Sequence, residues 1–494
     1  MNKGIFQKAK LFFVLFFCVS IINSCSVNPV TGKKEIMLMS EAQEIAMGKS
    51  YDPQVVASFG LYEDEQMQKF INEKGKEMGA ISHRPHLNYE FKILDSPVVN
   101  AFAVPGGYVY FTRGIMAHFN NEAEFIGVLG HEIGHVTARH SARQQSSQTL
   151  AQLGLIVGVI ASKDIAQYAG LAQESLGLLF MKFSRDHESE SDQLGVEYST
   201  KIGYDANEMA NFFSTLDRMR GGSEAEQIPT FMSTHPDPVD RQQKVAQSAQ
   251  KWQAGKPKSS FKVNRDQYLR MIDGVVFGED PRQGYVDDNK FFHPELKFEF
   301  PIPTSWKHMN SPQQFQMAPD DGKAIMILRL AQGQDLELAA TNFLTENKLQ
   351  VVEKKSIRLN GLQVVKTIAD QPAQVDESTG KQTSEALRFQ TNFILYNDLI
   401  YQFMGITRLS DYDIYKKHFE RSINNFKVLK DKNRINVKPD RIAIKTVNKT
   451  GTLKNTLAYY KMSPDRYSEL SLINGMELDD TVQKGSLIKI IVNQ

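Results

Sequence analysis

The stretch "GHEIGHVTARH", Gly130 to His140, places three histidines and one glutamate in a run that reads as helix. Each residue of an α-helix turns the chain by about 100°, so His131 and His135, four apart, lie within about 40° of one another and both rings can reach one ion. His140, five residues past His135, would point about 140° away on an unbroken helix and is expected to take no part. It also falls one residue short of the spacing at which a longer zinc motif places its third histidine, with Ala138 where that motif needs glycine. Gly130 and Gly134 each cost a helix roughly 1 kcal/mol relative to alanine, which suggests that their small size serves close packing beside the site.

A catalytic zinc site needs three protein ligands and one open position, commonly two histidines and a carboxylate, and HExxH supplies two of them. The third is sought in "FSRDHESESDQLG", Phe183 to Gly195, where Glu188 and Asp192 are four apart and share a helical face. Glu188 can complete the ligand set, while Asp192 can accept the outward N–H of a ligating histidine. His187 and Glu190 lie about 100° and 200° around from Glu188, off that face. Taken alone, the stretch would read as a solvated acidic helix. Glu132 then acts on a water whose pKa zinc lowers to about 7, first as base and afterwards as acid toward the leaving nitrogen.

With 494 residues, 41% hydrophobic and 23% charged, the chain has the proportions of globular protein and room for two to four domains. The net charge is +1 and no basic stripe dominates, which argues against a nucleic-acid partner. In "MNKGIFQKAKLFFVLFFCVSIINSCS", Lys3, Lys8 and Lys10 precede an apolar run from Leu11 to Ile22, the pattern of a secretory signal peptide. The run closes on "INSC", Ile22 to Cys25, which resembles a bacterial lipobox. Cys25 is then the lipidated first residue of the mature chain, with a plain signal peptide as the alternative. Cys18 would leave with the signal, so no disulfide is expected. The most apolar later stretch, Leu153 to Ala161, reads as a buried helix in preference to a membrane-touching hairpin.

Ser40 with Gln43 reads as a capping box opening a helical region that runs, with a break near Asp52 and Pro53, to Gly79. Strand-like segments follow at Leu87 to Leu94 and Asn100 to Gly114, the latter turning at Pro105-Gly106-Gly107. Asn121 with Glu124 caps the helix that carries the opening motif, and a second helix covers about Phe183 to Lys201. Composition shifts near residue 255. Beyond about 290, strands such as Ala324 to Leu330 and Phe389 to Thr407, turning at Asn397-Asp398, surround helices at Leu336 to Asn347 and Asp411 to Phe426. This part resembles the PsbP-like fold. The last segment runs strand, helix, helix, strand and, with Gly451-Thr452-Leu453, Asn474-Gly475 and Gly485, resembles a LysM module, a small carbohydrate-binding unit. Gly451 stands where that module usually has aspartate, so docking a protein is as well supported as binding glycan.

HEIGH, then SRDHESESD, then "STHPDPVDR" (Ser233 to Arg241) resemble, in that order, the gluzincin family of the CAAX prenyl protease and HtpX, over about residues 40 to 250. The resemblance implies one Zn2+ per chain held by His131, His135 and Glu188, with Glu132 catalytic and Asp192 supporting the ligands. It adds His235, as a reversible fourth ligand or an oxyanion stabiliser, and Arg241, lining the cleft. It also implies that substrate pairs with an edge strand at Ala101, Phe102, Ala103 and Val104, which pattern alone reads equally well as a core strand. Without membrane-spanning helices after the signal, the chain is similar to the family's soluble, exported bacterial branch, which serves envelope-protein quality control.

The expected fold is multidomain. A signal peptide (1–24) and a lipidated tether (25–39) precede a mostly α-helical zincin-type metalloprotease domain with a small β-sheet (40–255). A linker (256–289), an α+β PsbP-like domain (290–430), a second linker (431–440) and a LysM-like βααβ module (441–494) complete it. The expected function is zinc endopeptidase, lipid-anchored in the cell envelope at the outer membrane and facing the periplasm. Its substrates would be unfolded or misassembled envelope proteins, with peptidoglycan or a protein partner at the LysM-like segment. The alternatives are a non-proteolytic chaperone or assembly factor and a cell-wall-binding lipoprotein.

Overall fold

The computed structural model describes residues 25–146, 183–220, 231, 234, 235, 238–374 and 384–493. The signal segment and the stretch from Leu153 to Ala161 lie outside them. Among the described residues no helix is long and apolar enough to cross a membrane.

Where a tether was expected, β1 (Cys25–Val27) and β2 (Lys34–Ile36) pair as an antiparallel hairpin. Buried Asn28 closes it, its side-chain oxygen accepting from the N–H groups of Val30 and Thr31. The capping box of Ser40 and Gln43 opens α1 (Glu41–Phe59), which runs through Asp52 and Pro53 instead of breaking there. Tertiary ties flank the proline. A Cβ on Gly48 would fall 2.0 Å from the Pro105 carbonyl oxygen, and the Asp52 carboxylate accepts from Lys92 and from Tyr110 Oη. The break comes at Gly60, with φ +74°, before Asp64 caps α2 (Glu65–Ala80).

Strands β3 (Glu90–Leu94), β4 (Ala101–Val104) and β5 (Tyr108–Thr112) form a sheet in the order β3-β5-β4, so β4 lies at an edge. Helices α3 (Arg113–His118) and α4 (Glu122–Thr137) follow, and every residue of α4 is buried. Against it pack α5 (Arg185–Lys201) and α6 (Glu208–Arg220), and α7 (Pro238–Trp252) packs on those two. The crossing of α4 and α5 is tight: a Cβ on Gly130 would lie 3.0 Å from Gly195 Cα, and one on Gly134 3.2 Å from Ser191 Cα. The stretch expected to be a linker contains α8 (Arg265–Met271), because Tyr268, Leu269, Ile272 and Val275 supply an apolar face that joins the same core.

Next come β6 (Tyr285–Asp287), β7 (Lys290–His293) and β8 (Phe298–Pro301), which with β16 (Lys427–Val428) form a four-stranded sheet. A seven-stranded antiparallel sheet comprises β9 (Lys307–Asn310), β10 (Gln314–Ala318), β11 (Ala324–Leu330), β12 (Gln350–Leu359), β13 (Leu362–Gln371), β14 (Leu387–Tyr396) and β15 (Leu399–Arg408), in the order β12-β13-β14-β15-β11-β10-β9. The β14–β15 hairpin turns at Asn397 and Asp398, φ +49° and +60°, the left-handed pair a two-residue hairpin loop requires. Helix α9 (Leu336–Glu346) covers one face of this sheet, with Phe343 against Phe393, and α10 (Tyr412–Ile423) covers the other.

In the last segment β17 (Asp440–Thr446) pairs with β20 (Leu487–Asn493), with α11 (Leu453–Tyr459) and α12 (Tyr467–Ile473) between them and a short pair, β18 (Gly451–Thr452) and β19 (Thr481–Val482), beside them. This segment is built into the first domain. Gly274 N–H donates to the Ile442 carbonyl and Ile442 N–H to that of Val275. Fully buried Lys489, on β20, donates to the carbonyls of Ala117, Phe119 and Ile473 at 2.7–2.9 Å.

Beside that contact, buried His118 donates from Nδ1 to the Gly114 carbonyl, and burial, with the Lys489 charge, pushes its pKa down to about 4. An unfolded histidine binds a proton near pH 6.5 and the native ring refuses it until about pH 4. Stability should therefore fall by up to roughly 3 kcal/mol as pH drops through that window. Urea midpoints at pH 7 and 4.5 for wild type and His118→Asn check this; the variant should lose part of the slope.

Candidate metal centre

Asn121 caps α4 by accepting the Glu124 N–H, which starts the helix nine residues before His131. Ser184 caps α5 in the same way and sets Glu188 in its first turn. These two helices, with His235 and α7, bring one donor atom each from His131, His135, Glu188 and His235 within 4.8 Å of one another, all buried. His131 Nε2 lies 3.0 Å from His135 Nε2 and 3.2 Å from His235 Nδ1. Glu188 places its oxygens 3.4 Å from His135 Nε2, 3.6 Å from His131 Nε2 and 3.0 Å from His235 Nδ1. Tetrahedral zinc with ligands at about 2.0–2.2 Å needs neighbouring donors about 3.3–3.6 Å apart. The cluster has close to that size and the right donor chemistry.

Behind it, His131 Nδ1 lies 2.9 Å from Asp192 Oδ1, so the carboxylate accepts the Nδ1–H and leaves Nε2 bare toward the cluster. Arg241 grips Asp192 with two hydrogen bonds, of 2.7 and 2.8 Å, and reaches Glu188 Oε2 at 2.9 Å. Burial pushes the Asp192 and Glu188 carboxyls up, but the Arg241 guanidinium, and for Glu188 the His235 ring, hold both below the usual range. Burial pushes the Glu132 carboxyl up and there wins. Neither Glu132 oxygen has a hydrogen-bond partner among the described residues, and His235 Nε2 stands 3.7 Å from one of them.

Residues 65–249 match the model of Peptidase family M48. That part of the chain is similar to the peptidases of that family. Family M48 peptidases depend on zinc, and the four donors offer one metal site. The chain is similar to the beta-barrel assembly-enhancing proteases of Yersinia pestis, at 33% identity over 43% of this chain and 45% of the relative, and of Escherichia coli K12, at 29% over 44% and 46%. It is also similar to the mitochondrial metalloendopeptidase OMA1 of Arabidopsis thaliana, 29% identical over 38% of this chain and 37% of the relative. The chain thus spans less than half the length of these relatives. A cyanobacterial PsbP structure from Synechocystis covers 28% of the chain at 10% identity and a TM-score of 0.23, a slight likeness.

His140 corrects the reading of the sequence, because the fold brings it to the site. Helix α4 ends at Thr137, and Arg139 adopts φ +57°, turning the chain back so that His140 Nδ1 lies 2.9 Å from His135 Nδ1. Glu190, off the Glu188 face as expected, reaches His140 Nε2 at 3.0 Å, and the His187 ring stacks on that of His140. Phe183 stacks on His135, with centroids 4.2 Å apart.

At the edge of the sheet, Ala101, Phe102 and Val104 are buried and Ala103 is half-buried. Beyond β5, no described strand pairs with β4, and α4 packs beside it.

Proposed function

We propose that this chain is a zinc metalloendopeptidase of the bacterial cell envelope that cleaves unfolded or misassembled envelope proteins. The observation that supports this most is the convergence of His131, His135 and Glu188 beside a buried Glu132 whose oxygens have no hydrogen-bond partner among the described residues. In this reading His131, His135 and Glu188 hold the metal, which when bound supplies an acidified water and polarises the scissile carbonyl. Glu132 takes the proton of the attacking water and returns it to the departing amine. Asp192 and Arg241 keep the His131 ring aimed and Glu188 ionised. His235, whose Nδ1 lies 3.2 Å from His131 Nε2 and 3.0 Å from Glu188, would either hold the metal as a fourth ligand and so restrain the enzyme, or donate to the developing oxyanion. Substrate extends along the edge formed by Ala101, Phe102, Ala103 and Val104, pairing through backbone bonds.

We read the domains as 40–255, 290–430 and 441–494, the second PsbP-like and the third LysM-like, offering a surface for peptidoglycan or a protein partner. Export by the 1–24 signal and lipidation of Cys25 place the enzyme on the outer membrane, facing the periplasm. The relatives named as proteases of β-barrel assembly support this setting. In the test, the purified chain is incubated with an unfolded protein. Cleavage that a chelator stops and one equivalent of zinc restores is expected; cleavage that persists after the metal is stripped, or none in any form, overturns the reading.

A further inference from the structure

The two histidines of HExxH are backed differently. His131 has a carboxylate directly behind it, whereas His135 has another imidazole. That imidazole is itself oriented. A carboxylate only accepts, so Glu190, 3.0 Å from His140 Nε2, fixes the His140 proton on Nε2. His140 Nδ1 then carries a lone pair, and the proton between the two rings must sit on His135 Nδ1. This leaves His135 Nε2 bare, facing His131 Nε2 and Glu188.

The chain of contacts continues outward. Glu190 accepts Arg143 Nη1 at 2.8 Å, and Arg143 Nε donates at 2.8 Å to Glu35 on strand β2 of the N-terminal hairpin. Glu35 is steadied in turn by Asn28 Nδ2 at 3.0 Å. The hairpin and the residues just after it make three more hydrogen bonds to the chain that follows HExxH. Arg139 donates to Ser26 Oγ and to the Met39 carbonyl, and Leu38 N–H donates to Ser146 Oγ. Arg139 is the residue whose left-handed backbone returns His140 to the site.

We propose that the N-terminal hairpin is a working part of the metal centre: Glu35, acting through Arg143, Glu190 and His140, fixes the ring orientation and tautomer of His135. Glu35, Arg143, Glu190 and His140 are positioning residues. The inference rests on the reading of His135 as a metal ligand. It ties the grip on the metal to a segment about 100 residues upstream in sequence that touches none of the donor atoms, and that begins at the cysteine read as the anchor. Partners that orient a ligating histidine are typically worth about 10- to 100-fold in metal affinity.

The test uses the full chain loaded with Co2+, whose visible absorption reports ligand geometry, and a competing chelator that reports affinity. His140→Phe, which keeps a ring but offers no acceptor, should bind about 10- to 100-fold more weakly with an altered spectrum. Glu35→Gln should weaken binding several-fold and shift the spectrum in the same direction, while Glu35→Asp recovers part of the loss. Lys33→Ala, an exposed change in the same hairpin, serves as the control and should leave both readings unchanged. Should His140→Phe fail to fold, the Glu35 pair still decides. Wild-type affinity and spectrum in Glu35→Gln overturn the relay while leaving the metal site standing. Failure of the wild type to take up cobalt overturns the metal-site reading, and the relay with it.

Discussion

Exchanging Glu132 for glutamine is expected to lower hydrolysis of an unfolded protein by about 10²- to 10⁴-fold, the range for losing a positioned proton acceptor, with metal content unchanged. Glu132 lends no atom to the cluster of four donors, so its charge is dispensable for holding the ion. The amide has the same shape, so the packing of α4 survives, but it cannot take a proton from water. Stability should not fall, because among the described residues the wild-type carboxylate is buried without a hydrogen-bond partner, and an uncharged group there is less costly to bury. Initial rates measured beside the zinc content of the same sample decide the matter. Turnover within a few-fold of wild type would remove Glu132 from the chemistry, and loss of zinc would make it a structural residue instead.

Arg241→Met should destabilise the metal-free protein by about 3–5 kcal/mol, the usual cost of removing one side of a buried ionic cluster. Its guanidinium neutralises two buried carboxylates at once, Asp192 through two hydrogen bonds and Glu188 through one contact, while lying 4.5 Å over the Phe213 ring and donating to the His235 carbonyl. With the arginine gone, both carboxyls drift upward toward protonation. A bound dication restores some of the missing charge, so zinc should stabilise the variant more than it stabilises wild type. Arg241→Lys should fall between the two, since an ammonium cannot reproduce the paired bonds to Asp192. Denaturant titrations with and without zinc measure all of this; a loss below about 1 kcal/mol in the metal-free variant would contradict it. Combining Arg241→Met with Asp192→Asn should cost less than the two changes added together, as expected of residues in direct contact.

The centre of the site was legible because helical spacing constrains it locally. Four-residue steps put His131 with His135 and Glu188 with Asp192 on shared faces, and the glycines of HExxH announced a close crossing that Gly195 completes. His140 was not legible, since its placement depends on a left-handed arginine at position 139, and nothing in "VTARH" marks an early helix end with glycine or asparagine. Glu190 was missed for the same reason, because it reaches the site only through His140. Pro53 misled in the opposite sense: contacts made by Gly48 and Asp52 hold α1 together across a residue that ordinarily breaks a helix. The βααβ order and the Asn397-Asp398 hairpin were readable from turn chemistry, but the docking of β17 on residues 274–277 was not, for it leaves no local pattern.

Lys489 ties its ammonium to the Ala117 carbonyl across a separation of 372 residues, just ahead of the Asn121 cap from which α4 starts. Contacts between such remote parts of a chain slow folding, because the entropy of closing the loop is lost before the contact rewards it. The start of α4, the helix that carries His131 and His135, is therefore braced by a residue more than 350 positions further along the chain. A chain under synthesis can make that brace only once the strands of both intervening sheets have emerged.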